Sequence, residues 1–393
     1  MRNCPICQKI NCEILHTQKF VLSEGHPLAG GYDVVCCQHC GFVYADTVAT
    51  QKDYDCFYAK FSKYECDKAS SGDGDTPWEV KRLENTALQI SKFLPDLQSR
   101  ILDIGCANGG LLKALRKLGF ENLCGIDPSQ VCVANTQSSG IEAHTGSLFQ
   151  IPDGLGRFDF IILSHVLEHI CDLKVAIQAV SNLIKTEGGI YIEVPDAARY
   201  VDFLFSPFQD FNTEHINHFS HISLENLIQL SGFLLKQQET KLIESAPNML
   251  YPALWTIWCK AINHPSSSFT PKKDNLLAES IKRYILKSNK LMCDIDSKLN
   301  SVLAKYPKVL VWGTGQLAMK LLAETSLGNA KIAAFVDNNP INQGKVLCKT
   351  RILAPNQIKA MPFPIIIASI LHGREIEKMI KHQLKLSNKT ILL

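Results

Sequence analysis

Arg100-Ile-Leu-Asp-Ile-Gly-Cys-Ala-Asn-Gly-Gly110 is a short apolar run that ends in glycines. Behind it Leu111, Leu112, Leu115 and Leu118 recur at helical spacing. A buried strand turning through glycines into a helix lets a ligand approach the backbone closely, beside the free N–H groups of the helix start. A GxxxG turn alone is equally a tight strand-to-helix junction. Asp103, in front of the turn, and the elements that follow it give it meaning.

Asn122–Ile126 reads as a second strand ending in Asp127-Pro128. Asp127 falls about twenty residues past the glycines, where a carboxylate bonds ribose hydroxyls in nucleotide-binding βαβ units; it also suits a helix N-cap, and both roles can hold at once. Glu142–Thr145 is a third strand, followed by Gly146-Ser147-Leu148. The almost wholly apolar Phe158–Ser164 is a fourth, of the kind found in the middle of a parallel sheet. The Leu173–Ile184 helix, Gly189–Val194 strand, Ser223–Gly232 helix and Phe233–Glu239 strand continue the alternation. The expected fold is α/β and doubly wound, with its ligand at the carboxyl ends of the strands.

Leu102-Asp-Ile-Gly-Cys-Ala-Asn-Gly109, Gly125-Ile-Asp127, Gly146-Ser-Leu148 and Phe158-Asp-Phe-Ile-Ile-Leu-Ser-His165 stand in an order and spacing that resemble the class I S-adenosylmethionine-dependent methyltransferases. The resemblance implies a Rossmann-like core in which Asp103, Gly105 and Ala107 hold the methionine part of the cofactor, with Cys106 and Gly109 in the same turn. It implies Asp127 at the ribose, Ser147 and Leu148 at the adenine, and Ser164 and His165 along the floor. An NAD-dependent Rossmann enzyme fits less well, because Gly105 and Gly109 lack the GxGxxG spacing.

Ahead of this region, Cys4-Pro-Ile-Cys7 and Cys37-Gln-His-Cys40-Gly41 form two CxxC pairs. Each can present two thiolates to one ion, and together they make a closed tetrahedral site of structural type, with zinc the expected metal. Gly41 allows the positive φ that often follows such a turn. Cys36, on an apparent strand Tyr32–Cys37, points to the opposite face and is left out. Asp53–Tyr64 is rich in aromatics, so Tyr58 and Tyr64 are candidates to face a substrate. Ser70–Asp75 reads as a loop and Trp78–Phe93 as an amphipathic helix.

The segment Phe203–Ser220 lies beyond the fifth strand, where an acceptor pocket should open. In it Glu214-His215 sets a carboxylate beside an imidazole, a sensible general base near neutral pH. His218 and His221 follow at three-residue intervals, which raises a metal site as a lesser alternative. The whole chain is similar to the sugar C-methyltransferases of nucleotide-linked deoxysugar biosynthesis, which carry a zinc domain, a methyltransferase domain and a C-terminal Rossmann-like domain. That similarity implies His215 as the base aided by Glu214, and His169 as a further substrate-side residue. It puts Asn212 where the subgroup often has tyrosine.

Farther on, Asn248–Lys260 and Asn275–Lys305 read as helices separated by a linker at His264–Pro271. Lys308–Trp312, Gly313-Thr-Gly-Gln-Leu-Ala318 and the strand Ile332–Val336 form a second βαβ unit, with Asp337 next in the acidic position; Pro364–Ser369 is a later strand. Resemblance implies that this unit helps hold the nucleotide diphosphate. The expected domains are residues 1–60 (zinc-binding), 61–245 (methyltransferase), 246–300 (helical connector) and 301–393 (C-terminal Rossmann-like).

A net charge of +3 over 393 residues argues against nucleic-acid binding, and no apolar run approaches a membrane span. Fifteen cysteines without an export signal point to reduced thiols and a cytoplasmic setting. The expected partner is a small molecule, a nucleotide diphosphate sugar, with no nucleic acid and no membrane; the oligomeric state is open, with a monomer the simpler expectation. Alternatives are an O- or N-methyltransferase acting on another small molecule and a catalytically silent binding protein of the same fold.

Overall fold

A computed structural model describes residues 2–61, 76–246, 249–260 and 269–393. It divides into two compact units. One contains Met1–Leu15, Val34–Phe203 and Glu214–Ile281; the other contains His16–Asp33, Leu204–Thr213 and Lys282–Leu393.

The first unit is built on seven strands: β1 (Ile101–Ile104), β2 (Leu123–Asp127), β3 (Glu142–Thr145), β4 (Phe158–Ser164), β5 (Ile184–Pro195), β6 (Phe233–Ala246) and β7 (Met249–Lys260). Their spatial order is β3-β2-β1-β4-β5-β7-β6. β1 to β5 are parallel, and β7 runs antiparallel to both β5 and β6. The strand order reverses between β1 and β4, so a crevice opens outside their carboxyl ends. Leu102, Ile104, Ile161, Leu163, Ile190 and Ile192 fill the core on one face of the sheet. The helix Gly110–Lys117 buries Leu111, Leu112 and Leu115 and carries Arg116 and Lys117 in its last turn, where cations complement the helix dipole.

One expected helix is a strand. The described part of Asn248–Lys260, Met249–Lys260, is β7, inserted between β5 and β6. Pro252 through Trp258 are all buried, so the sequence carries no polar face from which a period could be read. Its content of Trp255, Thr256, Ile257 and Trp258 suits a pleated surface better than a helix. The central domain therefore extends through Lys260. The expected helical connector 246–300 contracts, among the described residues, to the long helix Leu277–Lys305 and the few residues before it. Tyr64, the Ser70–Asp75 loop and most of the His264–Pro271 linker lie outside the described residues.

Also in the first unit, Val43–Asp46 pairs antiparallel with Asn217–His218, setting Val43 opposite His218 and Tyr44 opposite Asn217. In the second unit Val309–Trp312 lies centrally in a six-stranded sheet, flanked in parallel by Ile332–Val336 and Ile365–Ile367. Leu310, Trp312, Val336, Ile365 and Ile367 form its core. No helix among the described residues is long and apolar enough to cross a membrane.

Placing β7 inside the sheet has a measurable consequence. Leu254 is fully buried, so Leu254→Ala should lower the unfolding free energy by about 3 kcal/mol in urea denaturation. A solvent-facing connector helix would lose far less.

Candidate active site

At the carboxyl end of β1 the chain turns through three residues in the left-handed region, Gly105 (φ 76°), Ala107 (φ 46°) and Gly109 (φ 73°). Ala107 is held there by two bonds. Its N–H donates to Asp127 Oδ2 at 2.9 Å, and its carbonyl accepts from Thr136 Oγ1 at 3.2 Å. Asp127 also accepts the Ser129 N–H at 2.9 Å, and Ser129, not Asp127, caps the helix Gln130–Ser138. The expected carboxylate is thus locked against the glycine turn. Asp103 is buried beside it, and burial together with the Asp127 charge pushes its carboxyl up to about 8. A buried carboxyl group beside a carboxylate at a glycine turn suits a ligand rich in donors and positive charge. That is the chemistry of an ammonium, a sulfonium and ribose hydroxyls, so the residues present fit S-adenosylmethionine.

Other residues expected around the cofactor have mixed fates. The Cys106 side chain belongs to the core, packed where a Cβ on Gly125 would come within 2.6 Å of its sulfur, so only its backbone faces the turn. Leu148 is a core residue, and Ser147 Oγ accepts the Phe149 N–H at 3.2 Å. Ser164 ends β4, and His165 follows it in the left-handed region at φ 56°.

His165 sits between two carboxylates: Nδ1 is 3.1 Å from Glu168 Oε1 and Nε2 is 3.1 Å from Glu193 Oε1. Both ring nitrogens face acceptors, so both carry protons and the ring is an imidazolium. Burial alone would lower its pKa, but the two glutamates outweigh that and raise it to about 9. Glu193 is fully buried and also meets Lys241 and the Tyr191 hydroxyl. Burial would raise its carboxyl, yet Lys241 and His165 hold it well below the usual range. Glu168, Glu193 and Lys241 were not among the residues expected from sequence. The available signal was a single acid inside the apolar run Ile190–Val194.

Three separate segments meet on the acceptor side. Tyr58, from the helix Gln51–Lys60, puts its hydroxyl 2.8 Å from His169 Nδ1 and 3.5 Å from Glu214 Oε2. His169 Nδ1 is also 3.1 Å from the Glu214 carbonyl, and its ring lies edge-on to that of His215, with centroids 4.9 Å apart. One ligand-type atom from each of Glu168, His169 and His215 lies within 4.8 Å of the others. Tyr58, His169, Glu214 and His215 are therefore one cluster. Asn212 belongs to the second unit, where its carbonyl accepts the Tyr32 hydroxyl at 2.8 Å.

The lesser metal alternative does not form. His218 is fully buried on the strand opposite Val43, and burial pushes its imidazole down to about 3. His221 opens the helix His221–Gln229. Among the described residues no metal-type grouping includes either histidine.

The four cysteines of the CxxC pairs do converge. Cys4 Sγ is 3.6 Å from Cys40 Sγ, and Cys7 Sγ is 3.5 Å from Cys37 Sγ. These separations are too long for disulfides and close to the roughly 3.8 Å edge of a tetrahedron with 2.3 Å metal–sulfur bonds. Gln8 (φ 62°) and Gly41 (φ 79°) occupy the same left-handed position one residue past each pair. Cys36 is turned away, its thiol on the Gly41 carbonyl. Shared hydrogen bonding, with Cys37 the largest influence, raises Cys4 and lowers Cys7.

In the second unit the glycine turn Gly313–Gly315 differs from the first. Asp337 Oδ2 accepts from Thr314 N at 3.0 Å, from the Thr314 hydroxyl and from Asn342 Nδ2 at 3.2 Å, while Oδ1 accepts the Asn339 N–H at 2.8 Å. The acidic position expected for a ribose is occupied by the protein's own donors.

Residues 80–238 match the family model described as a methyltransferase domain, and residues 305–392 match one described as C2185-like, N-terminal. The mitochondrial ubiquinone biosynthesis O-methyltransferase of Bos taurus is 34% identical over 103 residues, covering 24% of this chain and 28% of that protein. The C-methyltransferase NovU of Streptomyces niveus is 23% identical over 269 residues, covering 64% of this chain and 61% of that protein. The chain thus spans less than two thirds of the length of these relatives. Among solved structures, the PH0226 protein from Pyrococcus horikoshii OT3 aligns at 19% identity over 51% of this chain and 99% of that one, with a TM-score of 0.41. The part of this chain that matches the methyltransferase-domain model is built on the Rossmann-like sheet described above.

The His165 clamp makes stability depend on pH. The folded pKa, about 9, lies above the ordinary histidine value near 6.5. The stabilisation is therefore complete below pH 6.5 and disappears as pH rises through 9. Urea denaturation should show a decline on the order of 2 kcal/mol across that window, and His165→Gln should remove this part of it.

Proposed function

We propose that the chain is an S-adenosylmethionine-dependent C-methyltransferase acting on a nucleotide-linked 4-keto-deoxysugar, with His215 as the base. The observation that carries this reading is the convergence of Tyr58, His169, Glu214 and His215 from segments up to 156 residues apart. The partial similarity to the C-methyltransferase NovU supports a carbon acceptor.

Bound S-adenosylmethionine supplies an electrophilic methyl group on a sulfonium. Asp103 and Asp127, with the turn through Gly105, Ala107 and Gly109, would hold it, and Ser164 and His165 would lie beneath. His215 takes the proton on the carbon next to the ketone; the C–H electron pair becomes the enolate, which is then the nucleophile. Glu214 favours the protonated imidazole, and Tyr58 and His169 orient the acceptor. Positioning carbon and methyl in line supplies much of the acceleration.

A second reading, methylation of a hydroxyl, is favoured by the ubiquinone biosynthesis O-methyltransferase similarity. The two separate in deuterated water with labelled S-adenosylmethionine. With keto-sugar nucleotides the unaltered protein should exchange deuterium beside the ketone and methylate carbon, and His215→Ala should lose at least about 100-fold in both. Methylation confined to hydroxyl or amine acceptors, without exchange, would sink the carbon reading.

The cysteine cluster is read as a structural zinc site on Cys4, Cys7, Cys37 and Cys40, closed to substrate. Metal analysis should find one zinc per chain. Cys37→Ser should lose it and lower the midpoint of thermal unfolding while the cofactor affinity of the protein that remains folded is unchanged.

A further inference from the structure

Glu168 is an acid with no assigned task in the reading above. It sits in the 3-10 turn Leu167–His169 after β4, only 1% exposed. Its Oε1 is shared: His165 Nδ1 is 3.1 Å away and His169 Nε2 is 4.0 Å away. Its Oε2 is buried and has no hydrogen-bond partner among the described residues. A carboxylate oxygen left without a donor in the interior costs on the order of 1–3 kcal/mol or more, so a fold that retains one has a use for it. The backbone fixes the geometry further, since the Glu168 carbonyl accepts the Ile216 N–H at 2.8 Å, one residue from His215.

The charged and titratable groups around Glu168 come from every neighbouring element. His165 and His169 lie on its own segment, Glu214 and His215 on the facing loop, Tyr58 on the helix Gln51–Lys60 and Glu193 on β5, with Lys241 of β6 acting through Glu193. Ionised, Glu168, Glu193 and Glu214 carry three negative charges against two positive ones, on His165 and Lys241. The cluster has room for one more proton.

We propose that Glu168 is a positioning residue, the buried counter-charge that allows the facing imidazole pair His169–His215 to hold the proton taken from the acceptor. The inference rests on His215 as the base. In the step it serves, the C–H bond breaks, the proton goes to imidazole nitrogen, and the electron pair goes to the enolate and then into the new C–C bond as the C–S bond breaks and leaves a neutral thioether. The proton stays on the imidazole pair facing Glu168 until product leaves. His165, bonded to the same Oε1, ties this counter-charge to the cofactor floor.

The test is a titration of side-chain 15N-labelled histidines in the full-length protein by NMR. In the unaltered protein at least one of His169 and His215 should titrate above the ordinary value near 6.5. In Glu168→Gln that midpoint should fall by about one to three pH units, and in Glu168→Asp it should recover in part. The same variants should move the acidic limb of the pH–kcat profile in the same direction, with little change in KM for the cofactor. If the unaltered protein titrates both histidines at or below the ordinary value, or if Glu168→Gln leaves their midpoints unchanged, the inference is overturned. A shifted titration with no keto-sugar exchange would retain the counter-charge and reject only the acceptor reading.

Discussion

The cluster proposed to take the acceptor depends on one buried side-chain amide. Asn217 Nδ2 donates to the carbonyls of Leu167 at 2.9 Å and Ile170 at 2.7 Å, and Asn217 itself is only 1% exposed. Those carbonyls belong to the turn that presents Glu168 and His169; the asparagine belongs to the loop that presents Glu214 and His215. Alanine at this position would remove both bonds, leaving the Leu167 carbonyl only the Ile170 N–H at 3.3 Å, and the cost of unmade buried bonds is what holds the loops in register. Around it, the Ile216 N–H on the Glu168 carbonyl and the pairing of Val43–Asp46 with Asn217–His218 complete the fastening.

With the loops fixed, charge takes over the organisation of the floor. His165, Glu168, Glu193, Lys241 and Tyr191 form a buried network in which nearly every ionised group has an opposite or a donor within hydrogen-bonding range. Burial penalises each of these charges separately, and only their pairing makes the arrangement tolerable. The glycine turn is the contrast. There Asp103 lies buried beside Asp127, and burial together with that neighbouring charge raises its carboxyl to about 8. The two βαβ units of the chain diverge on the same point. Asp127 accepts the Ala107 and Ser129 N–H groups of its own turns, whereas Asp337 accepts from Thr314, Asn339 and Asn342.

Much of the sheet was legible because its signals are local. The strands Glu142–Thr145, Phe158–Ser164 and Ile332–Val336 have the boundaries read from the sequence, each being a short run flanked by turn chemistry. Gly41 and the cysteine spacing were legible for the same reason, and the four sulfurs do converge. β7 was not. Its middle, Pro252 through Trp258, is buried throughout and has no polar phase, and Met249–Lys260 became a strand because β5 and β6 supply its hydrogen bonds. The direction of the Cys106 side chain was likewise not legible: its thiol fills the space left by Gly125.

The sequence by itself determined the alternation of elements, the glycine turn with its two acids, the cysteine pairs and the neighbouring Glu214 and His215. All are written in spacings of a few residues, over which chain geometry alone decides what can meet. The tertiary structure alone decided that Tyr58 would meet His169, that His165 would also meet Glu193, and that Lys241 would neutralise Glu193. These contacts close loops of 28 to 111 residues, and what selects them is the cost of burying a polar or charged group without a partner, which no local pattern records.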